Sequence, residues 1–231
     1  MNILVTGATK GIGKAIAAKL NGEIFAAARK EELLKEYKHY CVCDLATIEG
    51  MEKLGTYIQE NQIDILVNNA GEYIYSPIEG GNIEQIEHIT RLNFEAPLYL
   101  ISKAVPYMKK QGFGRIINIG SISGIMGEAN ASLYSATKSG LIGATKALAL
   151  ELAEYGITVN TINPGWVDTE LGNSSAEYGE FTKEEIIECI PQRRFVEPSE
   201  IAGMVKYLIS KEAKGVTGQS INLCAGLTCG C

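Results

Sequence analysis

Ser121 and the pair Tyr134 and Lys138 are the residues whose types and spacing can do chemistry in this chain. Four positions apart on a helix of about 3.6 residues per turn, Tyr134 and Lys138 share a face, so an ammonium lies beside a phenol. A nearby cation favours phenolate. The spacing therefore predicts a tyrosine pKa drawn down from about 10 toward neutrality, where the phenol can exchange a proton with a carbonyl oxygen. Ser121 follows the apolar run from Arg115 to Gly120, which reads as a buried strand delivering a hydroxyl to the same place. Tyr-x-x-x-Lys also occurs from Tyr99 to Lys103 and from Tyr207 to Lys211. Those copies fall late in helical stretches with no strand-end serine upstream, and are expected to be solvated surface pairs.

The elements that must hold these groups begin at the N-terminus. Asn2 to Thr6 reads as a short buried strand that runs into Gly7-Ala-Thr-Lys10-Gly11-Ile-Gly13 and then a helix. A strand, a glycine turn and a helix start form an arrangement that accepts phosphate. Glycine lets the backbone approach closely, and the free N–H groups and positive dipole end of the helix attract the charge. The spacing departs from G-x-G-x-x-G, and a glycine turn can also be only a turn. Further along, apolar strands are expected near 23–28, 40–43, 64–67, 115–119, 157–162 and 219–223. Helices are expected near 12–20, 47–61, 82–109, 132–154 and 198–210, the last opened by Pro198. Such alternation predicts a parallel sheet covered by helices on both faces. The stretch from about 168 to 195 interrupts it and is the expected substrate lid.

Composition removes several function classes. A chain of 231 residues suits one α/β domain, and a net charge of −6 offers no electrostatic footprint for nucleic acid or an anionic membrane. No apolar run approaches the 18 or so residues of a spanning helix, and the first strand starts at residue 2, so a cytoplasmic location is expected. The six cysteines include Cys41 and Cys43, which alternate along a strand, and Cys224, Cys229 and Cys231, which lack paired C-x-x-C spacing. Reduced structural thiols are the expectation, and His39 and His88 read as surface groups, so no metal site is predicted.

Taken in order, Thr6 to Gly13, Asn68-Asn69-Ala70-Gly71, Asn93, Ser121, Tyr134 to Lys138 and Asn163 to Thr169 resemble the short-chain dehydrogenase/reductase family. The resemblance spans essentially the whole chain. It implies a single Rossmann-type, doubly wound α/β domain with a seven-stranded parallel sheet of order 3-2-1-4-5-6-7. It also implies a catalytic set of Ser121, Tyr134, Lys138 and Asn93, with Tyr134 as proton donor, Ser121 orienting the carbonyl and Asn93 supporting Lys138 through water. Ser123 reads as a structural hydroxyl nearby. The expected cofactor cradle comprises Gly7, Thr9, Lys10, Gly11, Ile12 and Gly13 in the turn, Asp44 and Leu45 beside the adenine, and Asn69, Ala70 and Gly71 along the cofactor. Tyr134 and Lys138 at the nicotinamide ribose complete it, together with Pro164, Gly165, Val167 and Thr169. Asn68 is compatible with either a cofactor or a sheet role.

At the end of the second strand, where an acidic side chain would bind a ribose 2′-hydroxyl, the chain reads Ala28 and Arg29. Arg29 and Lys10 together favour a 2′-phosphate, so NADP(H) is the expected cofactor. Among relatives the chain looks most like 3-oxoacyl-carrier-protein reductases of fatty acid biosynthesis, acting on an acyl-carrier-bound ketone. Small ketones, sugars or other alcohols are the alternative substrates, and a catalytically idle NADP-binding sensor is the third reading. Members that act on the acidic carrier commonly carry basic residues where this chain has Gly112 and Tyr155; Lys109, Lys110, Arg193 and Arg194 are the candidate substitutes. Trp166, Tyr178, Phe181, Tyr73 and Tyr75 are candidates to line an apolar mouth. Ser135, Ser139, Gly140, Gly143 and Ala144 give the tyrosine helix a small-residue surface, which internal packing or a second subunit would explain. The resemblance implies a homodimer or homotetramer, with the Gly226 to Cys231 segment near an interface.

Overall fold

Burial on two sides is what makes the strands of this chain continuous apolar runs. The computed structural model describes residues 1–173 and 182–229. Among these residues β1 (Asn2–Thr6), β2 (Glu23–Ala28), β3 (His39–Val42), β4 (Ile65–Asn68), β5 (Gly114–Ile119), β6 (Ile157–Pro164) and β7 (Ser220–Leu223) form one sheet of order β3-β2-β1-β4-β5-β6-β7. Every pairing is parallel.

Register follows from the two cores. Phe25, Leu4, Leu66, Ile116 and Val159 stand in line across the sheet and face α3 (Ile48–Asn61), α5 (Ala96–Gln111) and α7 (Ser132–Leu152). One position further along each strand, Ala26, Val5, Val67 and Ile117 face the other core, with α1 (Gly11–Lys19) and α9 (Pro198–Leu208). A slip of one residue would exchange the two sets, in which each Val, Leu, Ile or Phe contributes roughly 1.5–3 kcal/mol on burial.

Helix ends are specified locally. The Thr47 hydroxyl accepts the Gly50 N–H at the start of α3, and Gly112, at φ 69°, terminates α5. Glu197 and Glu200 form a capping box around Pro198 at the start of α9. The run expected as one helix near 82–109 is instead α4 (Ile83–Thr90), a π-helical turn over Arg91–Glu95, and α5. The widened turn carries Asn93, a buried polar side chain that the amphipathic pattern around it does not flag. Three short helices escape periodicity because they span only one or two turns: α2 (Glu31–Leu34), α6 (Ser123–Met126) and α8 (Lys183–Cys189).

Several surface expectations are corrected by packing. Lys103 lies 4.8 Å from the centre of the Tyr99 ring, and a methyl on Gly55 would come within 2.8 Å of that ring, so this Tyr–Lys pair is part of the contact between α3 and α5. His39 stacks on Phe25 with ring centres 4.6 Å apart, while His88 stays at the surface, 39% exposed, with its Nε2 2.8 Å from Glu72. Gly140 of the small-residue surface packs against Phe94 within the chain, whereas Gly143 faces open space. Cys41 and Cys43 are free, buried and in the same core. Among the described residues no group of three His, Cys, Asp or Glu is placed to hold a metal, and no helix is long and apolar enough to cross a membrane. Cys231, Tyr178 and Phe181 lie outside the described residues, as does the part of the expected lid from 174 to 181.

Candidate active site

The strand order turns back on itself between β1 and β4, and a crevice opens at the carboxyl ends of those strands. Thr6 and Asn69 bind the two ends together. The Thr6 hydroxyl accepts the N–H groups of Asn69 and Ala70, both at 2.9 Å, and the Asn69 amide donates to the carbonyls of Thr6 at 2.8 Å and Gly7 at 3.3 Å. Gly7 and Gly11 adopt φ of 67° and 52°, which side-chain-bearing residues rarely do. A Cβ at Gly13 would lie 2.2 Å from the Gly7 carbonyl oxygen, so only glycine lets α1 begin this close to the turn.

The crevice widens into a cleft of about 1110 Å³, larger than the usual site for one drug-sized ligand and sufficient for a dinucleotide with a substrate beside it. Its wall includes Gly7, Thr9, Lys10, Gly11 and Ile12 from the glycine turn, Arg29 after β2, and Asp44 and Leu45 after β3. Asn69, Ala70 and Gly71 follow from β4, and Pro164, Gly165, Val167 and Thr169 from β6. Gly13 and Asn93 stand behind this wall and shape it. Asn68 points elsewhere: its amide donates to Asn118 Oδ1 at 2.9 Å inside the sheet, which settles that side chain as a sheet contact.

Ser121, Tyr134 and Lys138 converge on one end of the cleft. Ser121 lies just beyond β5, with its Oγ accepting the Ser123 N–H and donating to Ser123 Oγ, each at 3.1 Å. Lys138 is buried on α7, donates to the Ile119 carbonyl at 2.9 Å and lies 5.7 Å from the centre of the Tyr134 ring. Burial draws its pKa down to about 8. Asn93 fixes the neighbouring backbone. Its side chain accepts the Glu72 N–H at 3.0 Å and donates to the Glu72 carbonyl at 2.9 Å.

The expected depression of the Tyr134 pKa is reversed. Burial pushes it up to about 12; the hydrogen bond with Ser121 pulls the other way, and the nearby Glu128 charge adds to the rise. The Lys138 ammonium donates to the Ile119 carbonyl and lies 5.7 Å from the centre of the Tyr134 ring, and burial is the largest influence on the phenol. Tyr134 is therefore a protonated phenol near neutral pH.

Both cations expected at the ribose phosphate already have carboxylate partners. Arg29 pairs with Glu72 at 3.1 Å, whose second oxygen lies 2.8 Å from His88 Nε2, and Lys10 pairs with Glu170 at 3.0 Å. These are exposed pairs worth at most about 1 kcal/mol each, so a phosphate can displace them.

Two acidic residues in the cleft were not visible as site residues from sequence. Glu72 directly follows Asn68-Asn69-Ala70-Gly71, and Glu128 stands among small residues between Ser121 and Tyr134. Glu128 accepts hydrogen bonds from Tyr73 Oη and Ser123 Oγ, both at 2.7 Å, and the Tyr73 ring meets Tyr134 edge to face at 5.1 Å. A usable signal was present: a lone acid in the segment that must pass from the strand-end serine to the tyrosine helix.

A doubly wound sheet with a glycine cradle at its switch point, and a serine, a phenol and an ammonium at one end of the resulting cleft, defines a Rossmann-type oxidoreductase site. The family model described as short chain dehydrogenase matches residues 1–178. The chain is 40% identical to a protein of Streptomyces coelicolor named as a candidate ketoacyl reductase, over 97% of this chain and 95% of that one. It is 34% identical to the 3-oxoacyl-carrier-protein reductase FabG of Staphylococcus epidermidis, over 97% of each. Among solved structures, an actinorhodin polyketide ketoreductase variant with NADPH superposes with a TM-score of 0.91 and 37% identity, covering 98% of this chain and 96% of that one. The chain belongs to the short-chain dehydrogenase/reductase family and is an oxidoreductase.

Proposed function

We propose that this protein reduces a ketone to a secondary alcohol with NADPH, and that its substrates are 3-oxoacyl thioesters. The observation that carries the reaction is the convergence of Ser121, Tyr134 and Lys138 on one end of a cleft whose other end is the glycine cradle. The cradle fits a dinucleotide, since glycine at 7, 11 and 13 lets the turn take its positive-φ conformation and α1 begin hard against it, presenting the helix N-terminus where a pyrophosphate would bind. When bound, NADPH supplies a hydride to the carbonyl carbon. Ser121 hydrogen-bonds the carbonyl oxygen and orients it, and Tyr134 gives that oxygen its phenolic proton. Lys138 holds the nicotinamide ribose, and Asn93 steadies the adjoining Glu72 backbone. Thr169, whose methyl would contact a side chain at Gly11, matches by family resemblance the position that would contact the cofactor carboxamide.

The choice of NADPH rests on Arg29 and Lys10, which exchange Glu72 and Glu170 for a 2′-phosphate. Arg29→Asp is expected to weaken NADPH binding by on the order of tenfold, the worth of one charge-assisted contact of roughly 1.5 kcal/mol, and to favour NADH. Titrating both cofactors against the variant checks this; an unchanged preference sinks the assignment.

The thioester reading is supported by similarity to ketoacyl reductases and by the apolar substrate end, where Trp166 stacks on Phe195 and Ile186 lines the wall. Within the expected lid, α8 contributes Ile186 to the wall of the cleft. Small ketones are the second reading, favoured by the state of the basic residues proposed to dock a carrier. Arg194 is held by Glu200, Arg193 donates to the Glu188 carbonyl, and Lys109 lies over the Tyr155 ring. The deciding experiment is NADPH oxidation with an acetoacetyl thioester on acyl carrier protein, as a free small thioester, and with simple ketones. Strong preference for the carrier-bound form supports a role in fatty acid biosynthesis; turnover of small ketones alone makes the protein a carbonyl reductase. The assembly we propose is a homodimer or homotetramer joined through the long helices, where Leu150 of α7 is 85% exposed and Gly143 faces open space.

A further inference from the structure

The substrate end of the cleft carries a carboxylate, Glu128, whose hydrogen-bonding partners among the described residues are hydroxyls rather than a cation. Glu128 lines the cleft together with Ser121 and Tyr134, and its two carboxylate oxygens accept from hydroxyls, Tyr73 Oη and Ser123 Oγ, both at 2.7 Å. Two short bonds from neighbours that are themselves packed hold the carboxylate in one place, because Tyr73 is wedged edge to face against Tyr134 and Ser123 is tied to Ser121. Several other charges along the cleft have partners of their own. Glu72 faces Arg29 and His88, Glu170 faces Lys10, and the Lys138 ammonium is bound to the Ile119 carbonyl. The residues outside the description, 174–181 and 230–231, contain no lysine or arginine that could neutralise Glu128.

We infer that Glu128 is a specificity-determining residue: it makes the protein select ketones that are neutral or cationic beside the carbonyl and reject keto acids. Resting on the ketone-reductase reading above, this narrows it to substrates whose carboxyl function is masked, as in a thioester, an ester or an amide. The physical reason is direct. A second carboxylate brought to the reacting end must approach a like charge in a partly desolvated cleft, where opposition is much stronger than in water. An ammonium on the substrate meets the opposite condition. The same charge acts on Tyr134, adding to the rise in its pKa and so favouring the protonated phenol that reduction needs.

The test uses one 3-oxoacyl skeleton in three charge states: acetoacetate, its ethyl ester and its choline ester. Each is measured for NADPH-dependent kcat/KM, and for binding to the NADP⁺-loaded protein by calorimetry, where no reduction can occur. Glu128→Gln keeps the size and removes the charge, and one of the two hydroxyls must turn to accept from the new amide N–H. It is expected to lower the ester-to-acid ratio, and the choline-to-ethyl ratio, by on the order of tenfold in rate and in binding, the equivalent of about 1.4 kcal/mol. Glu128→Ala, which also deletes the charge, must shift both ratios in the same direction. Binding ratios identical in the wild type and both variants overturn the inference. Shifted binding ratios without any turnover support Glu128 and overturn the reductase reading instead.

Discussion

Tyr134→Phe is expected to lower ketone reduction by about 10³-fold while NADPH binds with little change. A positioned general acid is worth roughly 10²–10⁴ in rate, and this phenol is the group at the cleft end that can protonate a forming alkoxide. The substitution removes one oxygen and leaves the ring that packs edge to face on Tyr73, so the wall of the cleft is retained. Stopped-flow reduction and a fluorescence titration of NADPH separate the two effects. Residual activity within tenfold of wild type would overturn the proton-donor assignment. The wild-type pH profile carries a second signature, because burial pushes Tyr134 up to about 12. Below that value the phenol is protonated, so its contribution to reduction persists from neutral pH upward and is lost as pH rises through about 12. Alcohol oxidation needs the phenolate and must rise over the same alkaline range.

Gly13→Ala is expected to cost about 10²-fold in NADPH affinity, roughly 2.7 kcal/mol. The added Cβ would lie 2.2 Å from the Gly7 carbonyl oxygen and 2.5 Å from Asn69 Nδ2. Neither neighbour can yield alone, since Asn69 donates to both Thr6 and Gly7 and thereby joins β1 to β4. The clash must move α1 away from the turn, opening the place where a pyrophosphate would meet the helix N-terminus. Overpacking of this kind costs about 1–3 kcal/mol, so the thermal midpoint should also fall by roughly 2–12 °C for a chain of this size. NADPH titration together with a thermal melt checks both. Affinity within threefold of wild type would show that this glycine does not shape the cofactor cradle.

How much of this was legible beforehand depends on whether a feature is local. The strands could be placed to within a residue or two because a sheet buried on both faces demands continuous apolar runs, as in Ile3-Leu-Val and Ile65-Leu-Val. The sheet order came with the family resemblance rather than from the strand pattern. The shared face of Tyr134 and Lys138 is likewise a property of one helix, and the glycine turn of one junction. Short helices and the π-helical turn at Asn93 were not legible, since fewer than three turns give periodicity nothing to repeat.

The electrostatic character of the site was decided by tertiary structure. Local spacing put an ammonium near the phenol and predicted a lowered pKa; the fold buried the phenol, turned Lys138 to Ile119, and brought Glu128 close, which reversed the direction. Arg29 and Glu72 belong to separate strand ends and meet only across the cleft, and Tyr73 meets Glu128 from 55 residues away. Chain position determines which side chains share a helix face or a strand side. Desolvation and the pairing of charges depend on everything that surrounds a group in space, and only the folded chain supplies those surroundings.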